Sequence, residues 1–108
     1  MGFISKLIGK VQAYFTDRDR IDALKTALST YGLTADHLRF ALREVIEING
    51  AEMGKVDKRD NVVGSITQAH NDALTFDGGL KWPDPALKDL ITVVQIVYAI
   101  AKLANKLR

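Results

Sequence analysis

The sequence predicts an all-α fold, a compact four- to five-helix bundle with a hydrophobic C-terminal helix at its centre. Three observations lead there. Apolar residues recur at three- and four-residue spacing through most of the chain, which gathers them on one side of a helix. Gly and cap-forming Thr and Asp residues stand at the ends of those periodic stretches, where helices stop and start. The composition, 47% hydrophobic and 26% charged with two prolines and no cysteine, is that of one ordinary domain over residues 1–108. Its core needs no metal or disulfide to close.

The first predicted helix covers residues 2–15. Phe3, Ile4, Leu7, Ile8, Val11, Tyr14 and Phe15 make one continuous apolar face, so this amphipathic helix either packs on the bundle or projects from it. Thr16 caps a second helix whose first turn holds Asp17 and Asp19, placed to suit the positive end of the helix dipole. That helix runs to about Tyr31 with Ile21, Leu24, Ala27, Leu28 and Tyr31 inward, and Gly32 suits a left-handed C-terminal cap. Thr34 caps a third helix from Ala35 to about Asn49, with Leu38, Leu42, Val45 and either Ile48 or Ile46 inward, and Gly50 closes it as Gly32 closes the second.

The stretch AEMGKVDKRDN has few apolar residues and reads as a polar connector, with Asp60 or Asn61 capping a fourth helix toward Leu74. Its stripe is Val62, Val63, Ile66, Ala73 and Leu74. Gly64 in its interior costs about 1 kcal/mol relative to Ala. FDGGLKWPDP is a loop, because Gly78 and Gly79 permit positive φ while Pro83 and Pro85 disfavour helix before themselves. Asp84 and Pro85 open the last helix. From Ala86 to Leu107 the polar residues Lys88, Thr92, Gln95, Lys102 and Lys106 keep to one narrow strip, leaving the rest of the circumference apolar. The β-branched run ITVVQIVY would suit a strand, but a strip sustained over six turns favours helix.

Local chemistry is sparse. Without cysteine there is no thiolate metal site and no cysteine nucleophile. His37 and His70 have no Asp, Glu or His at helical spacing to complete a metal face, and read as solvated or capping residues. Ser65 in VVGSI lacks the first glycine of a nucleophile elbow. Glu44 and Glu47 share a helix face, but Arg43 stands four residues before Glu47 and pairs with it. GAEMGKV is one residue short of a phosphate loop, and Arg59 in DKRDN occupies a position where a calcium loop needs an oxygen ligand. The expectation is a protein without catalytic residues, metal or cofactor.

Three surfaces call for a partner. The face Phe3, Ile4, Leu7, Ile8, Val11, Tyr14 and Phe15 would be covered by the domain's own core, by a protein or second copy, or by a membrane surface approached through Lys6 and Lys10. Residues 21–47 resemble a helix-turn-helix in spacing, with Leu28 before the turn, Gly32 in it, and Leu33, Leu38 and Ala41 after it. The resemblance implies a nucleic-acid face of Thr34, His37, Arg39 and Arg43, although Leu28 stands where the family keeps a small residue. In the loop, Phe76 and Trp82 are candidate anchors for a partner, unless Trp82 folds back to close the bundle and its indole N–H finds a carbonyl. The formal charge of +2 falls short of the basic field that alone implies nucleic acid. The expected function is therefore a non-enzymatic protein-binding or assembly module, with DNA binding or peripheral membrane association as alternatives. No export signal is read, since Lys6 and Lys10 interrupt the first apolar run, so a cytoplasmic location is expected. No stretch reaches the ~20 apolar residues of a membrane-spanning helix.

Overall fold

The structure, a computed structural model, describes residues 17–76 and 78–104. The helix predicted over residues 2–15, its Thr16 neighbour and the predicted end of the last helix at Lys106 and Leu107 lie outside the described residues. Among those described there are five helices and no strand: α1 (Asp17–Ser29), α2 (Ala35–Asn49), α3 (Lys55–Thr75), α4 (Asp84–Leu87) and α5 (Leu90–Leu103). The fold is an all-α bundle.

Helix α5 is its axis. Leu90, Val93, Val94, Val97, Ile100 and Ala101 are buried along it, a three- and four-residue alternation that turns one broad apolar band toward its neighbours. The helices α1, α2, α3 and α4 all pack on α5, and α2 also packs on α3. From α1 comes Leu28, from α2 Ala41 and Val45, and from α3 Val62 and Ile66; Trp82 and Ala86 complete the buried cluster. The β-branched side chains that would suit a strand are here the contact surface of a helix surrounded by others, where packing overrides local propensity.

The last predicted helix is two helices. Lys88 and Asp89 interrupt it: Asp89 takes φ −137 and ψ 40 and serves as the N-cap of α5, with its carbonyl accepting the Val93 N–H at 3.0 Å. The Tyr31 hydroxyl donates to Asp89 Oδ2 at 2.6 Å. This bond ties the turn after α1 to the start of α5. It also holds the Asp89 carboxyl below the usual carboxylate range, with Thr92 acting the same way, and pushes the Tyr31 hydroxyl up.

Other boundaries moved for identifiable reasons. Helix α3 begins at Lys55 rather than at Asp60 or Asn61, so most of the expected connector is helical. Lys and Arg are good helix formers, and the scarcity of apolar residues there reflects exposed turns. Leu74 is 60% exposed, because the buried register Val62, Ile66 and Ala69 continues to Ala73, one residue and about 100° away. On α2 the ambiguity resolves toward Ile48, which packs on the core, while Ile46 is exposed. Gly32 has the expected positive φ of 81. Gly50 does not: at φ −82 it continues right-handed, and the Ala51 N–H donates to the Ile48 carbonyl.

Candidate functional site

The loop after α3 folds back on the bundle, and two histidines hold it there. The peptide joining Lys81 to Trp82 is gripped on both sides. Its carbonyl lies 2.7 Å from His37 Nε2, and its N–H donates to His70 Nδ1 at 2.9 Å. A carbonyl only accepts, so His37 carries its proton on Nε2. Its Nδ1 is then free to accept the Thr34 N–H at 2.9 Å, which caps α2 in the manner of a capping box with histidine in place of Glu or Gln. The His37 and Phe40 rings meet Trp82 edge-on, with centroids 4.7 Å and 6.2 Å away.

Trp82 is 1% exposed, so it is a core residue and offers no anchor to a partner. Its indole Nε1 has no hydrogen-bond partner among the described residues, contrary to the expected carbonyl. Phe76, the other candidate anchor, is 65% exposed.

The helix-turn-helix resemblance loses part of its face. His37 is buried and committed to the loop, where no base edge can reach it. Arg39 pairs with Asp36 on an exposed turn, and Arg43 lies over the Phe40 ring at 5.5 Å. Thr34 is exposed at the start of α2, with its hydroxyl 3.0 Å from His37 Nδ1. Helix α1 packs on α5, whereas the principal contacts of α2 are with α3 and α5, an arrangement of a bundle more than of a two-helix reading head. The N-terminal face of Phe3, Ile4, Leu7, Ile8, Val11, Tyr14 and Phe15 lies outside the described residues.

Sequence reasoning missed a groove of about 700 Å³ formed where α2 ends, α3 begins and α5 passes. Asn49, Gln95, Val56, Tyr98 and Ala99 line it, together with the cations Lys55, Lys58, Arg59 and Lys102. Lys58 Nζ donates to the Asn49 carbonyl at 2.8 Å, a cation on the negative end of α2. Arg59 pairs with Asp60 at 3.2 Å. The Tyr98 hydroxyl is buried with no hydrogen-bond partner among the described residues, and burial pushes its pKa up. Lys58 and Arg59 entered the sequence reading only as part of a polar connector and of a failed calcium motif, and Gln95 and Lys102 only as a polar strip. The signal was the one-sided placement of Gln95 and Lys102, which needed α3 beside it to acquire meaning.

Among the described residues no three His, Asp or Glu side chains stand close enough to hold a metal ion, and no helix is long and apolar enough to cross a membrane. Comparison of the chain with protein-family models, with curated proteins and with solved structures finds no match.

Proposed function

We propose that the chain is a non-enzymatic protein-binding or assembly module acting through apolar helical surface, with residues 2–15 and the Leu74–Phe76 end of α3 as its contacting parts. The observation that carries this reading is the exposure of Leu74 and Phe76, 60% and 65%, two residues apart beside a loop whose tryptophan is already inside. Single exposed apolar residues are ordinary on any surface. Here a second source adds to them: the seven apolar side chains between Phe3 and Phe15, each worth about 1.5–3 kcal/mol on burial. Together those exceed the net stability of a typical domain, so they favour contact over water.

Sedimentation of the full chain from about 10 to 300 µM, beside L7E/V11E and L74S/F76S, tests the reading. The expected result is a mass above the monomer, or binding of an apolar dye, that both pairs of substitutions reduce. A monomer at every concentration that binds no dye would refute it. Retention on duplex DNA or anionic vesicles, unaffected by either pair, would replace it with another function.

A further inference from the structure

We propose that the groove between the end of α2, the first turns of α3 and the side of α5 binds a small amphiphilic anion, an oxyanion head on a short apolar body, free in solution. Its volume of about 700 Å³ falls within the range of small-molecule sites. The lining divides by chemistry. Lys55, Lys58, Arg59 and Lys102 supply positive charge, Val56, Tyr98 and Ala99 supply apolar surface, and no carboxylate among the described residues lines it.

Two of the cations are partly engaged, Lys58 with the Asn49 carbonyl and Arg59 with Asp60. Lys55 and Lys102 make no ion pair among the described residues and remain for a ligand. Gly54, the N-cap of α3, contributes no side-chain acceptor, and the Asp57 carboxylate lies back toward it, with Oδ2 4.0 Å from where a Gly54 Cβ would stand, so the positive end of that helix is answered from within and the four side-chain cations carry the attraction. Asp57 lies in that first turn but is not among the residues lining the groove.

Tyr98 lines the same groove, and its hydroxyl, buried with no hydrogen-bond partner among the described residues, gains an acceptor where a neighbouring side chain shifts to admit one. A buried donor left unpaired is unfavourable, and an oxyanion oxygen is the acceptor this setting favours. A bare ion would leave Val56, 57% exposed, in water; a short apolar chain would cover it. A groove this size holds one head and a few carbons, which argues against a polymer backbone. The site is at the opposite end of α3 from Leu74 and Phe76, so it stands or falls separately from the protein-binding reading.

The test is an amide-resolved NMR titration of the full chain with hexyl phosphate, inorganic phosphate, hexanol and phosphatidylglycerol vesicles in separate arms. Hexyl phosphate should give saturable shifts at Val56, Arg59, Tyr98 and Ala99 with Kd on the order of 0.1–1 mM. Inorganic phosphate and hexanol should bind at least about tenfold more weakly. K55E/K102E, which changes two exposed side chains, should weaken hexyl phosphate by about tenfold or more while leaving the rest of the spectrum unchanged. The proposal is overturned by shifts that do not saturate or centre elsewhere, by equal affinity for inorganic phosphate, by indifference to the charge reversal, or by binding to vesicles alone.

Discussion

Replacing Trp82 with Ala tests the core assignment directly. The side chain is 1% exposed, and a buried tryptophan removes roughly 150–250 Å² from water. At about 25 cal/mol per Å² this is worth about 4–6 kcal/mol, with the retained Cβ reducing the loss and the resulting cavity adding to it. One term acts in the other direction. The indole N–H is buried without a partner among the described residues, and removing it recovers part of a penalty of about 1–3 kcal/mol. The expected cost of W82A is therefore about 3–4 kcal/mol, a large share of the 5–15 kcal/mol typical of a domain. W82F retains a ring against His37 and Phe40 and removes the orphan N–H, so it should cost only about 1–2 kcal/mol. Urea unfolding followed by far-UV circular dichroism, at constant slope against denaturant, measures both. A W82A cost below about 1 kcal/mol, or W82F costing as much as W82A, would refute the reasoning.

Three further substitutions separate backbone, propensity and electrostatic contributions. Gly79 has φ +96, and a Cβ there would lie 2.8 Å from the Ala73 nitrogen and closer still to the Ala69 carbonyl oxygen; G79A should cost about 2–4 kcal/mol in urea unfolding and detach the Leu80 N–H bond to Ala69 seen by amide exchange. Gly64 lies inside α3 with nothing within 4 Å of the place a Cβ would take, so G64A should raise stability by about 0.5–1 kcal/mol and increase Tm. Y31F removes the hydroxyl that lowers the Asp89 pKa and whose own pKa is raised. The lowered carboxyl stabilises above its unfolded pKa and loses that effect as pH falls through its folded value. The raised phenol stabilises below its unfolded pKa and loses that effect as pH rises through its folded value. Y31F should therefore lower Tm between those two limits and converge with the native chain at both extremes; an equal deficit at every pH would contradict this linkage.

The bundle was legible because each long helix carries its inward face in its own spacing. Leu28 on α1, Val45 on α2, Val62 and Ile66 on α3, and Val93, Val94 and Val97 on α5 are all buried, and all follow from periodicity alone. What escaped is what depends on a second segment. Asp89 breaks the last helix in partnership with Tyr31, 58 residues earlier, and no window of local sequence contains both. The groove likewise needs Lys55, Lys58 and Arg59 from one helix and Gln95 and Lys102 from another.

The loop illustrates the same division with more consequence. FDGGLKWPDP reads as irregular, and residues 78–83 of it are so while Asp84 and Pro85 already belong to α4; irregular backbone pressed against a core must still satisfy its polar groups. The Leu80 N–H does so on Ala69, and the Lys81–Trp82 peptide does so on His37 and His70. Two histidines that look unattached along the chain thus meet across one peptide bond, and their role is to let a tryptophan enter the core without leaving its backbone unpaired. Because His37 also caps α2 through Thr34, that loop and the start of α2 are coupled. Substituting His37 should therefore disturb the Thr34 amide and the Trp82 environment together, whereas substituting His70 should reach only the latter. Amide exchange on the two variants distinguishes these outcomes, and independent responses at Thr34 and Trp82 in the His37 variant would show that the coupling is absent.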